Sequence, residues 1–237
     1  MFRGDDFRPP NRGPVHLRGR HGVRQIALVV LHHDRDLADA DALALEVVFQ
    51  VLQRLQVGVE REVLAVGHEH DASDPRWVYA AGEYHLYRSS DGGNTWNDLQ
   101  PGGFVNGTRG IVVAPSNGSV VYRIGANGGR PRPERSNDRG ATWTAATLPG
   151  GAYPSSLAVD PHDENSIWVA GFQYGEGLFH STDGGAHWTE IKGPVGEHVA
   201  ASALRFDPRR AVLHVAYPGH GVWELTLEKH RRSVRAS

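Results

Sequence analysis

"RSSDGGNTW", residues 88–96, sets Ser, Asp, two Gly and Trp at fixed offsets in a strand-rich stretch. The run returns as SNDRGATW at 136–143 and as STDGGAHW at 181–188, so the shared pattern is Ser-x-Asp-x-Gly-x-(Thr/His)-Trp. Its acids, Asp91, Asp138 and Asp183, stand 47 and 45 residues apart. A constant period of that size is the signature of a repeat architecture. The motif has the chemistry of a tight turn: a carboxylate at the head of a hairpin accepts bonds from backbone N–H groups a few residues on. Gly93, Gly140 and Gly185 supply the positive φ that a side chain penalises. Ser89, Ser136 and Ser181 are placed to bond across the hairpin, and Trp96, Trp143 and Trp188 enter the following strand with an indole to bury. One carboxylate among Gly and Ser offers too few oxygens for a calcium loop. The motif is therefore expected to brace the fold and do no chemistry.

The flanks repeat as well. SDPRWVYAAGEYHLYR precedes the first motif, APSNGSVVYRIGANGGRPRPER the second and VDPHDENSIWVAGFQYGEGLFH the third. A fourth copy, RFDPRRAVLHVAYPGHGVWELTL, ends before any motif. Each gives an Asp-Pro or Ala-Pro turn, a short strand of alternating character, a Gly-containing loop and a second strand. With first strands expected at 62–67, 109–114, 155–160 and 201–207, each copy reads as four antiparallel strands A to D, the motif forming the C–D hairpin. Four strands in about 46 residues make one blade of a β-propeller. The fold class is all-β, a propeller of about four visible Asp-containing blades that either closes as a small ring or belongs to a larger one. The blades occupy 62–228, with a tail at 229–237.

The motif resembles the Asp-box, or BNR repeat, of sialidases, xyloglucan-cleaving glycosidases, sortilins and photosystem II assembly factors. The likeness covers residues 62–227 and is strongest at the first and third boxes. The second places Arg139 before its Gly, and the third has His187 where Thr is usual. The resemblance implies a propeller whose boxes lie on the face away from any active site, and leaves the activity open.

In an up-and-down blade the A–B and C–D loops share one face, and the B–C and D–A loops share the other. A ligand site is expected on the second face. Its loops carry Glu83, Tyr84, Arg130, Arg132, Glu134, Tyr153, Tyr174, Glu176, His198 and His220. Aromatic faces pack on sugar rings and carboxylates take hydroxyl protons, so the set suits a carbohydrate or protein ligand. A glycoside hydrolase would need two opposed carboxylates, for which Glu83, Glu134 and Glu176 are the candidates. No trio of Arg for a sialidase assembles, and Arg123 in "YRIG" reads as a strand residue. His68 and His70 share one face of a strand without a third ligand, so no metal and no cofactor is expected.

Residues 1–61 stand outside the repeat. The first 24 hold six Arg against two Asp and read as a solvated arm. RQIALVVLHH, 24–33, reads as a strand, and 36–56 as a helix with Leu43, Val47, Val51 and Leu55 on one stripe. The 24–33 strand would complete the fourth blade, the helix would cap an open edge, or the chain is part of a larger propeller; open edges would invite self-association. With 25 Lys plus Arg against 27 Asp plus Glu, composition gives no case for nucleic acid. No apolar stretch is long enough to span a bilayer. No standard signal peptide is seen, so the default location is cytoplasmic, or extracellular if the true start differs.

Overall fold

A computed structural model of the chain describes residues 7–8, 67–71, 73–81, 86–99, 110–125, 129–172, 177–192, 200–207 and 210–227. The chain divides into two compact units, Met1–Pro10 with Leu64–Ser237 and Asn11–Val63, and every described residue belongs to the first. The strand expected at 24–33 and the helix expected at 36–56 lie outside the described residues.

The described residues build four antiparallel sheets of four strands each. The first strand in chain order, β1, is Phe7–Arg8. Sheet I comprises β2 (Gly67–His70), β3 (Val78–Ala81), β4 (Leu86–Ser89) and β5 (Asn97–Asp98). Sheet II comprises β6 (Ile111–Val113), β7 (Val121–Gly125), β8 (Arg132–Ser136) and β9 (Thr144–Ala145). Sheet III comprises β10 (Tyr153–Asp160), β11 (Asp163–Phe172), β12 (Gly177–Ser181) and β13 (Thr189–Ile191). Sheet IV takes β14 (Ala203–Asp207), β15 (Val212–Tyr217) and β16 (Gly221–Thr226) from the repeat.

Its fourth strand comes from the far end of the chain. β1 pairs antiparallel with β16, Phe7 opposite Leu225 and Arg8 opposite Glu224, so sheet IV runs β1-β16-β15-β14. The other first strands match expectation within two residues, but that of sheet I starts at Gly67, where the expected 62–67 ends. Its ladder runs from Gly67 opposite Ala81 to His70 opposite Val78, and Asp71 then opens the turn by accepting the Ser73 N–H at 2.8 Å. The polar look of His68-Glu69-His70 hides a strand.

The four sheets follow one another as blades of a β-propeller: β2 lies beside β6, β6 beside β10, and β10 beside β14. Three apolar clusters fill the seams. Tyr79, Ala81, Leu86, Ile111, Val113 and Val121 pack between sheets I and II. Tyr122, Ile124, Leu157, Ile167, Val169 and Phe179 pack between II and III. Trp168, Leu178, Leu204, Phe206, Leu213 and Val215 pack between III and IV. Successive strand residues go to opposite seams, which is why β7 is buried along its whole length. A closed ring of four sheets needs a fourth seam between IV and I, and the described residues supply none. The described sheets form an open arc.

Candidate functional site

The boxes share one geometry. Each Ser hydroxyl donates to its Asp Oδ1 at 2.7, 2.7 and 2.8 Å and accepts the box Gly N–H at 2.8, 2.7 and 2.8 Å, in sheets I, II and III respectively. The same Oδ1 accepts the backbone N–H of Thr95, Thr142 and His187 at 2.8, 2.8 and 2.9 Å. Oδ2 is met by the Thr95 hydroxyl, the Thr142 hydroxyl and the His187 ring Nδ1. Hydrogen bonds from Thr95 and Ser89 hold the Asp91 carboxyl at about 2, and those from Thr142 and Ser136 hold Asp138 at about 2. Bonds from the His187 backbone, its ring and Ser181 hold Asp183 below the usual range. Carboxylates this saturated stay ionised at neutral pH and make poor general acids.

The boxes also tie each sheet to its own A–B turn. The N–H after each Asp (Gly92, Arg139 and Gly184) donates to the carbonyl of Arg76, Ser119 and Asn165 at 2.9, 3.0 and 2.9 Å. This residue needs positive φ: 71° at Gly92, 73° at Gly184, but also 57° at Arg139. A side chain there costs roughly 1–2 kcal/mol. Arg139 offsets that cost by reaching sheet I. Its Nη1 pairs with Asp71 Oδ2 at 2.6 Å, and its carbonyl accepts Arg88 Nη1 at 2.7 Å and the Tyr79 hydroxyl at 3.2 Å. Burial pushes the Asp71 carboxyl up, but hydrogen bonds from Ser73 and Arg139 and the Arg139 charge outweigh it, so it stays below its ordinary value.

Glu134, one of the expected catalytic carboxylates, is not on a loop rim. It stands on β8 opposite Arg123 of β7, and Arg123 Nε and Nη2 both lie 2.6 Å from its Oε2. The two side chains are 6% and 4% exposed, and the guanidinium lies 4.1 Å from the centre of the Trp143 ring. Gly125 makes the room, because a Cβ there would fall 2.5 Å from Glu134 Oε2. Arg123 is the strand residue that the sequence predicts, and it occupies the acid.

On the face opposite the boxes, two expected residues meet between sheets II and III. Arg130, from the B–C loop of sheet II, lies 5.7 Å from the Tyr153 ring centre, at the start of β10. Gly151 takes the left-handed conformation that side chains rarely adopt, at φ 73°, and the D–A loop passes beside Arg130 Nη1 there. Arg132 follows in the same loop, exposed at the head of β8. Tyr153 pairs with Phe172 across the last rung of sheet III, their rings edge to face at 6.1 Å. The result is a guanidinium group over one of two packed aromatic rings, with a second guanidinium exposed two residues along the loop, suited to an anionic group carried on an apolar or ring-bearing ligand. Sequence reasoning missed Phe172; its signal is its place as the last strand residue before the B–C loop.

His220 sits in the equivalent loop of sheet IV, its Nδ1 3.0 Å from the Pro218 carbonyl oxygen. Glu83, Tyr84, Tyr174, Glu176 and His198 lie outside the described residues. Among the described residues no helix is long and apolar enough to cross a membrane.

A family model, Sortilin-Vps10, described as "Sortilin, neurotensin receptor 3", matches residues 84–216. The xyloglucanase of Hypocrea jecorina is 39% identical over 85 residues, which are 32% of this chain and 8% of that protein. The sortilin of Danio rerio is 31% identical over 123 residues, 49% of this chain and 15% of that protein. Among solved structures, the GH74 xyloglucanase from Xanthomonas campestris superposes with a TM-score of 0.55 at 21% identity, covering 69% of this chain and 29% of that one. That likeness is one of fold. The chain spans only a small part of the length of each relative.

Proposed function

Because the chain belongs to the Sortilin-Vps10 family of β-propeller proteins, we propose that it is a binding module whose ligand, a carbohydrate or a protein, docks on the face opposite the Asp-boxes. The observation that carries this reading is the approach of Arg130 to Tyr153 from two different sheets, with Phe172 packed on Tyr153 and Arg132 exposed two residues after Arg130. Acidic ligands are the preferred class, because the described part of this cluster presents cations and ring faces. The family description names a receptor, which agrees with binding as the task. The test is a binding screen of neutral, uronate-bearing and sulfated oligosaccharides alongside acidic and neutral peptides. An acidic member should bind, and Arg130→Ala with Arg132→Ala should weaken it about tenfold or more, the loss of one to two charge-assisted contacts. Equal binding by wild type and double variant would overturn the assignment of this cluster.

The similarity to xyloglucanases favours a second reading, a glycoside hydrolase. The burial of Glu134 against Arg123 removes one of its three candidate acids from easy use, leaving Glu83 and Glu176. Release of reducing ends from xyloglucan, abolished by Glu83→Gln or Glu176→Gln, would establish it in place of the first.

A further inference from the structure

The A–B turn of sheet II, Ala114 to Val120, joins three sheets through a chemically labile pair, Asn117-Gly118. Asn117 is half-exposed and Gly118 buried. Two bonds hold the backbone of the turn: the Asn117 N–H donates to the Ala114 carbonyl at 3.0 Å, and the Val120 N–H to the Asn117 carbonyl at 2.9 Å. A third ties it to the second box, where the Arg139 N–H donates to the Ser119 carbonyl at 3.0 Å. Towards sheet III, Ser116 Oγ and Asn117 Nδ2 donate to the Glu164 carboxylate at 3.2 and 3.5 Å. Towards sheet I, Gly118 packs directly on Asp71, and a Cβ there would overlap the carboxylate that Arg139 holds. Glycine is therefore required at 118, and the Asn-Gly pair comes with the seam.

The asparagine is arranged for attack by its own backbone. Its Oδ1 accepts the Ser119 N–H at 3.1 Å, which curls the side chain over the Asn117–Gly118 peptide. That oxygen gains negative charge when a nucleophile adds to Cγ, so the same N–H stabilises the tetrahedral intermediate. Among the described residues the Gly118 N–H donates to no acceptor, and no side chain at 118 shields the nitrogen. The Asn117 amide nitrogen is held by a 3.5 Å contact, at the long limit of a hydrogen bond. The other described asparagines differ. Asn137 and Asn165 accept Arg135 on Oδ1 at 2.9 and 2.8 Å, Asn94 donates to the Asp91 carbonyl at 2.7 Å, and each of these is followed by a residue with a side chain.

We propose that Asn117 is a modification site, converted without an enzyme to aspartate and isoaspartate, and that the new charge loosens sheet II from sheet III. The Gly118 nitrogen gives its proton to water or hydroxide and bonds to Cγ. The Cγ–Nδ2 bond breaks, the nitrogen leaves as ammonia, and a cyclic imide closes. Water then opens the imide at one carbonyl or the other, giving aspartate or a backbone routed through the side chain. The sum is amide plus water to carboxylic acid plus ammonia. Hydrogen bonds from its own backbone N–H and from Asn117 hold the Glu164 carboxyl below its usual range, so it is anionic at neutral pH. A carboxylate at 117 loses the donor to Glu164 and faces its charge. In the isoaspartate form an extra backbone carbon also shifts the carbonyls that accept Val120 and Arg139.

The test is incubation of the folded full chain at mildly alkaline pH, followed by peptide mapping that separates amide, aspartate and isoaspartate forms. Position 117 should convert progressively, and faster as pH rises, while Asn137 and Asn165 keep their amides. Asn117→Gln, whose longer side chain closes a five-membered ring no more, should keep its mass and its denaturation midpoint through the same incubation, whereas the wild-type midpoint drifts down. Asn117→Asp should unfold at lower denaturant than wild type. Adding Glu164→Gln should recover part of that loss, beyond the effect of Glu164→Gln alone, which mere loss of the amide contact would not allow. An amide at 117 that survives in the folded chain while the urea-unfolded chain converts would overturn the proposal. So would an Asn117→Asp midpoint equal to wild type, or one that Glu164→Gln fails to raise. Neither Arg130 nor Tyr153 takes part, so ligand binding stands or falls separately.

Discussion

Between sheets I and II the rung facing the preceding sheet holds Arg123 and Glu134; between sheets II and III the same rung holds Val169 and Phe179. The backbone around the two rungs is the same, with Ser and Asp of a box closing each hairpin at distances that agree within 0.1 Å. One seam is lined from sheet II by an ion pair under an indole, the other from sheet III by an aliphatic and an aromatic side chain. The box therefore fixes the bend of each sheet independently of what fills the seam, and the seams are free to diverge. The I–II seam has diverged furthest: beyond the Arg123–Glu134 pair it holds Asp71–Arg139, the latter on a residue at φ 57°. Taking charges out of water is costly, and such pairs are often replaceable by apolar residues without loss. What is not tolerated is half a pair.

The largest expected effect follows from that asymmetry. Arg123→Val leaves Glu134 buried without its cation and should cost roughly 3–5 kcal/mol in chemical denaturation. No such cost attends the matching aliphatic in sheet III, since Val169 already stands there. Arg139→Gly should come next. It relieves the left-handed strain but strips Asp71, 1% exposed, of its guanidinium, for a net loss of about 1–3 kcal/mol by the same assay. Smaller again is the acid response of the boxes. Their carboxyls sit below the unfolded value of about 3.9, with Asp91 and Asp138 at about 2. Groups depressed on folding stabilise fully above the unfolded value and lose that contribution as pH falls through the folded one. The melting temperature should therefore drop between about pH 4 and 2, and Asp91→Asn should flatten that part of the curve. The smallest effect belongs to the third box: His187→Thr restores the hydroxyl found at Thr95 and Thr142, on an exposed side chain, and should change stability by less than about 0.5 kcal/mol.

The turn chemistry and the spacing of the boxes were readable because a hairpin is local: Ser, Asp, Gly and Trp lie within eight residues and satisfy one another. The alternation at Trp77-Val78-Tyr79 and Leu86-Tyr87-Arg88 likewise revealed β3 and β4. Pairing across strands was not readable. Period-2 patterning puts Arg123 and Glu134 on faces of their own strands, but only the register, Arg123 opposite Glu134, makes them one pair and turns a candidate acid into a buried partner. Nor was the outer strand of sheet IV, since Phe7–Arg8 is two residues long and carries no periodicity. On the ligand face, Arg130, Arg132 and Tyr153 were named from loop position; that Arg130 and Tyr153 come within 5.7 Å depends on how sheet III packs on sheet II, a fact of the seam and not of either loop.

If the sheets are equivalent repeats braced by their boxes, the contents of one seam can stand in for those of another. The direct test transplants sheet III into sheet II: Arg123→Val with Glu134→Phe, compared with Arg123→Val alone by chemical denaturation. The double variant should recover the loss of the single one and equal or exceed wild type, by up to about 1–4 kcal/mol. A double variant as unstable as the single one would contradict the equivalence of the sheets.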